Sequence, residues 1–127
     1  MKIGEKSFTL IELMLGLSIF VVAVVSLLGA YISALILSEG SRNLNIALND
    51  ASRVLEEMRN VTFSSLTTTD WTAWAEDNGA NILNNEAIST NFQVTDADHP
   101  TVVIVTVSWS ERNRTRSTSL TTAITER

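Results

Sequence analysis

From Leu13 to Leu37 the chain carries no charged residue, and only scattered serines, glycines and one tyrosine interrupt its aliphatic and aromatic side chains. A bilayer core about 30 Å thick needs roughly 20 apolar residues of helix, so this stretch predicts a membrane-spanning helix. It is too long for a secretory h-region. The Ser38-Glu39-Gly40-Ser41 sequence after it leads into further helix-forming residues rather than into a small-residue cleavage site. The pattern then changes character without a break. Leu44, Ala47, Leu48, Ala51, Val54, Leu55 and Met58 recur three and four apart, which predicts one apolar face of an amphipathic helix over 38–60. Glu39 with Arg42, Asp50 with Arg53, and Glu56 with Arg59 are assigned to its polar side, each pair contributing a few tenths of a kcal/mol at most. No proline falls between Phe8 and Asn60, so the expectation is one continuous helix, about 80 Å long at 1.5 Å per residue. Gly16, Gly29 and Gly40 are its weak points.

After Asn60 the composition turns to Thr, Ser, Asn and Asp, and no long period is visible, so 61–97 reads as a variable loop region. Within it Trp71 and Trp74 are spaced to lie on one side of a helical turn and to anchor the region onto the helix or sheet. Thr101 to Ser110 alternates, with Val103, Val105, Val107 and Trp109 on one face, and is the clearest strand. Glu111-Arg112-Asn113-Arg114 reads as a turn with Asn113 left-handed, and Thr115 to Thr125 as the returning strand with Leu120 and Ile124 inward. Asn91 to Thr95 supplies a third strand before the bend at His99-Pro100, giving an antiparallel sheet over 91–125. Its apolar face needs a cover, and the stripe from Leu44 to Met58 is the one available. The fold class expected is therefore α+β: a long N-terminal helix packed in its second half against a small antiparallel sheet.

Composition narrows the function. The 127 residues leave room for one soluble domain beyond the span, with no cysteine, one histidine and a formal net charge of −5. Disulfides, thiolate metal sites and cysteine nucleophiles are excluded, and most zinc and triad chemistry is disfavoured. The acidic balance weighs against nucleic acid as a partner. No Ser-His-Asp set, framed carboxylate pair or phosphate-binding glycine loop occurs, so an enzyme is not expected, nor a cofactor, a bound metal or a small-molecule substrate. Asp96, Asp98 and His99 lack the further ligands of a metal site and read as a polar bend. Glu76-Asp77-Asn78-Gly79 does not match an EF-hand and reads as a turn. Arg112, Arg114 and Arg116 read as a solvated hairpin or a contact to an acidic neighbour.

One residue interrupts the apolar run. Glu12 stands among Leu10, Ile11, Leu13 and Met14, where an ionised carboxylate costs on the order of 3 kcal/mol at a bilayer centre and less near its edge. Either it lies at the wet interface or it has a cationic partner, which at about 4 Å and an effective dielectric near 20 would return roughly 4 kcal/mol before desolvation. The lysine bias of Lys2 and Lys6 before the span places the amino terminus in the cytoplasm and the body outside.

Lys6-Ser7-Phe8-Thr9-Leu10-Ile11-Glu12-Leu13-Met14, followed directly by the apolar helix, resembles the class III signal of type IV prepilins and type II secretion pseudopilins. The family usually has glycine before the cut, where this chain has Ser7. The resemblance implies a leader of 1–7, cleavage between Ser7 and Phe8 by a membrane prepilin peptidase, and N-methylation of Phe8. It further implies that Glu12 sets register in assembly by pairing with the Phe8 ammonium of a neighbouring subunit. Residues 8–37 would be the transmembrane and assembly half of the helix, and 38–127 a periplasmic or extracellular pilin-like domain. The partners implied are the peptidase, other pilin or pseudopilin subunits, the bacterial inner membrane and the assembly platform. The Val-rich strand ending in Trp109, the arginine-rich turn and the Leu-Thr-Thr strand most resemble minor pilins of the type IV pilus modification kind. The function this implies is a minor pilin-like structural subunit of a type IV pilus or related filament. The alternatives are a minor pseudopilin of a type II secretion or DNA-uptake system, and an uncleaved signal-anchored protein whose outer domain binds a ligand or acts as a hydrolase.

Overall fold

A computed structural model describes residues 8–93 and 100–125. The expected leader 1–7, with Ser7, and the bend residues Asp96, Asp98 and His99 lie outside the described residues. In chain order the elements are α1 (Leu10–Asn60), α2 (Phe63–Leu66), α3 (Trp71–Asp77), β1 (Ala87–Gln93), β2 (Thr101–Glu111) and β3 (Arg114–Ile124). The long helix and three-stranded antiparallel sheet form the α+β layout that the periodicities require. The chain divides into two compact units, one ending at Glu39 and one running from Gly40 to Arg127.

In the first unit every described residue from Phe8 to Glu39 is exposed, so the apolar stretch is not the core helix of a soluble body. The helix runs through Gly16 and Gly29 without interruption, and a Cβ at either would meet nothing within 4 Å. Its serines are internally satisfied. Ser18, Ser26 and Ser33 donate their hydroxyls to the carbonyls of Leu15, Val22 and Gly29 at 2.8–3.0 Å. In hydrocarbon such back-bonding removes the penalty of an unpartnered hydroxyl.

In the second unit, α1 turns Ala47, Asp50, Ala51, Val54, Leu55 and Met58 inward. They share one core with Val103, Val105, Val107 and Trp109 of β2, Ile88 of β1, Leu66 of α2, and Trp71 and Ala75 of α3. Two departures from the expected helix faces stand out. Leu44 is exposed, so the buried stripe starts at Ala47, and Asp50, assigned to the polar side, is buried. Positions 47, 50, 54 and 58 are three and four apart, so the geometry of the helix places Asp50 on the core face regardless of its charge. Arg59 is exposed, in keeping with the polar side assigned to it, and donates from Nη2 to Thr122 Oγ1 at 2.8 Å, tying the end of α1 to β3.

The sheet order is β1-β2-β3, with both pairings antiparallel. The central strand alternates between buried residues (Thr101, Val103, Val105, Val107, Trp109) and half-buried ones, as period-two geometry demands. Leu120 and Ile124 of β3 pack against the core edge, opposite Val105 and Thr101. The third strand was expected at Asn91 to Thr95; it is instead β1, starting at Ala87, with Val94 and Thr95 outside the described residues. Its core face reads Ile88, Thr90, Phe92 opposite Val107, Val105, Val103, and the central threonine hides the alternation.

The expected loop region 61–97 also contains local structure, in α2 and α3. Asp70 caps α3, its Oδ1 accepting from the backbone N–H groups of Thr72 and Ala73. Trp71 is 2% exposed and donates its indole N–H to the Leu66 carbonyl at 2.8 Å, while Trp74 meets it edge-on with ring centroids 6.2 Å apart. Thr72 Oγ1 donates to the Ile88 carbonyl, joining α3 to β1. The tryptophans are thus anchors, as their spacing suggested. Seven residues are too few for a hydrophobic period to declare itself.

Arg112 and Asn113 form the two-residue hairpin loop, both left-handed with φ of 50° and 61°. That is the type I′ geometry, whose twist matches the flanking strands. Asparagine tolerates it, whereas a β-branched residue clashes with its own backbone. Asn113→Val is therefore expected to lower stability by about 1–2 kcal/mol and Asn113→Gly to be nearly neutral, read from denaturant melts of the detergent-solubilised chain. Equal melts for the valine and glycine variants would refute the strain argument.

Candidate functional site

Of the residues singled out by the sequence at the amino end, Phe8 and Glu12 are described, and both stand at the start of α1. Phe8 is 82% exposed and immediately precedes Thr9, after which the helix begins at Leu10. Glu12 lies in the first helical turn and folds back on Thr9. Its Oε2 accepts from the Thr9 backbone N–H at 3.1 Å and from the Thr9 hydroxyl at 3.0 Å. The Thr9 carbonyl in turn accepts from the N–H groups of Glu12 and Leu13. Thr-x-x-Glu at a helix start is the capping-box signature, in which the glutamate satisfies a backbone N–H that has no intrahelical partner. The negative charge also sits favourably against the positive end of the helix dipole.

The signal for this role is the Thr9-Leu10-Ile11-Glu12 spacing, which the sequence expectation of a lone charge among apolar neighbours does not include. It changes what the carboxylate can do. Glu12 is not a bare charge awaiting a partner: within a single chain it is already held by two donors, with Oε1 remaining to accept from a third. A cation arriving at this helix start would find a carboxylate fixed in position at little further cost in side-chain entropy.

The other candidate clusters resolve into structural parts. Glu76, Asp77, Asn78 and Gly79 stop α3: Asn78 Nδ2 donates to the Trp74 carbonyl, Gly79 takes φ of 77°, and Arg53 donates to the Asn78 carbonyl at 2.9 Å. In the hairpin Arg116 Nε lies 3.7 Å from Glu111 Oε2, so part of the arginine cluster is neutralised within the sheet. Among the described residues no three His, Asp or Glu side chains gather as metal ligands.

A group that sequence reading placed on the wrong side lies in the second unit. Asp50 is 3% exposed, with Oδ1 3.9 Å from Arg53 Nη1. Burial, then the charge of the neighbouring Glu86, push its carboxyl up to about 6, against the opposing pull of Arg53. The clue was present in the helical period; Glu86, 36 positions along the chain, gave none.

No protein-family model, no curated protein and no solved structure matches this chain.

Proposed function

We propose that this chain is a structural subunit of the minor pilin type, held in a membrane by the first half of α1 and then packed into a type IV pilus or a related filament. The observation that carries the reading is the junction at the start of α1. Lys6-Ser7-Phe8-Thr9-Leu10-Ile11-Glu12 leads directly into a helix whose first part, up to Leu37, is long and apolar enough to cross a membrane and buries none of its apolar residues within the chain. A surface so extensive and so free of charge requires lipid or other apolar helices around it. The reading is supported by the second unit, where residues 47–58 of α1 belong to the core of a folded body.

Assembly, rather than catalysis, follows from the parts. The leader would keep Lys2 and Lys6 on the cytoplasmic face, and its removal would create a charged amine at Phe8, beside the Glu12 carboxylate of an adjacent helix. Loss of Lys2, Glu5 and Lys6 would take the formal charge from −5 to −6. In low dielectric an ammonium–carboxylate pair is tolerable where either charge alone is costly, so the pair fixes one axial register among otherwise featureless apolar helices.

Co-expression with a prepilin peptidase tests the reading. The expected result is a chain whose intact mass begins at Phe8 and carries one added methyl, with Ser7→Gly cut at least as fast. A chain that keeps Met1 with the peptidase present, while Ser7→Gly is processed, would leave the uncleaved anchor as the correct description.

A further inference from the structure

Three buried polar atoms in the second unit have no hydrogen-bond partner among the described residues: Asp50 Oδ2, Glu86 Oε1 and Trp109 Nε1. Two of them belong to neighbouring carboxyl groups. Glu86 immediately precedes β1, and its Oε2 accepts from the backbone N–H groups of Ile82 and Leu83 at 3.0 and 2.9 Å. The side chain is therefore fixed by the loop that leads into the sheet, and Oε1 is the oxygen left over. Asp50, on α1, is near enough to feel the Glu86 charge, and its Oδ2 is likewise buried and without a partner. When both are ionised, each oxygen only accepts, so neither can satisfy the other, and the two like charges repel. One proton between them converts the unpartnered acceptors into an O–H···O⁻ hydrogen bond, which is short and strong in a dry setting.

We propose that Asp50 and Glu86 share a single proton in the folded protein, and that this proton fastens α1 to the 82–86 loop, so that the second unit is tighter in mildly acidic medium and loosens when the proton leaves. The groups facing the pair agree with this. From α1 itself comes Arg53, half exposed and also committed to the Asn78 carbonyl, so it neutralises Asp50 only weakly. From the loop comes Glu86, which adds a second negative charge.

The direction follows from linkage. The Asp50 carboxyl rises from 3.8 to about 6 in the folded chain, so between those values the folded form holds a proton that the unfolded form has released. The stabilisation is complete below about pH 4, declines as pH rises towards 6, and is absent above it. Within that window the folding equilibrium constant should fall by up to about tenfold per pH unit on account of this one proton.

The test uses the full chain in detergent micelles, with ¹³C-labelled Asp and Glu carboxyls and denaturant melts from pH 4 to pH 7.5. The expected result is one carboxyl resonance with a midpoint near 6, missing in Asp50→Asn. The Asp50→Asn variant should also lose the wild-type decline in stability across the window, because its amide donates permanently to Glu86 Oε1. Should Asp50→Asn not fold, Glu86→Gln serves for the melts, and the wild-type titration decides by itself. Ordinary midpoints for every carboxyl, or wild-type and variant melts that run parallel in pH, overturn the proposal.

Discussion

A chain beginning at Asn60 is expected to show no cooperative unfolding transition, whereas one beginning at Ser38 should be soluble and melt cooperatively. The compact second unit starts at Gly40, so the longer fragment keeps it whole. The shorter one removes Ala47, Ala51, Val54, Leu55 and Met58, which share a single core with Val103, Val105, Val107 and Trp109. Each of those large side chains contributes roughly 1.5–3 kcal/mol when buried. A domain has a total of about 5–15 kcal/mol, so loss of the helix exceeds what the remaining sheet and short helices can supply. Leu55→Asp examines the same contact in the intact chain. It should cost more than the roughly 2–5 kcal/mol of a leucine-to-alanine change, because a charge as well as a cavity is left in the core. Circular dichroism melts check both. A cooperative transition for the Asn60 fragment, or an unchanged melt for Leu55→Asp, would mean that the sheet buries its face elsewhere.

The second large effect is expected at Glu12, where the cap and the proposed intersubunit pair make separable demands. Glu12→Gln keeps an oxygen to accept from the Thr9 N–H but carries no charge; Glu12→Ala loses both; Thr9→Ala removes the hydroxyl contact and leaves the charge. If the carboxylate pairs with the Phe8 ammonium of a neighbour, Glu12→Gln and Glu12→Ala should both lower incorporation into filaments at least tenfold, since about 1.4 kcal/mol suffices for that factor. An ion pair at about 4 Å and an effective dielectric near 20 supplies roughly 4 kcal/mol before desolvation. Thr9→Ala should have a small effect, and membrane insertion should survive in all three. Quantifying the variants in sheared filaments against membrane fractions measures this. Normal incorporation of Glu12→Gln beside loss of Glu12→Ala would reduce Glu12 to a helix cap.

The candidate residues at the amino end are legible because they are contiguous: the proposed cut and the long apolar stretch lie within a few residues of one another in the sequence. Glu12 has a double character: its charge among apolar neighbours stands out at once, while its position three residues after Thr9 makes it a cap as well. The acid pair was illegible for the opposite reason. Asp50 was matched with Arg53 because ion pairs three apart are common on exposed helices, yet Arg53 is half exposed while Asp50 lies in the core.

The sequence by itself determined the elements whose signal repeats: the uncharged span, the helix through to Asn60, the Val-rich central strand and its hairpin. In these, local geometry and the need to bury or expose one face act in the same direction over many residues. The pieces too short or too mixed to carry a period owe their form to long-range contacts. The seven-residue α3 stands because Asp70 caps it and Trp71 is sealed against Leu66; β1 begins at Ala87 because Val103, Val105 and Val107 offer partners to Ile88, Thr90 and Phe92. The meeting of Asp50 with Glu86 belongs to the same class, since two acids far apart in sequence acquire a common environment only when the helix and the loop close over one core.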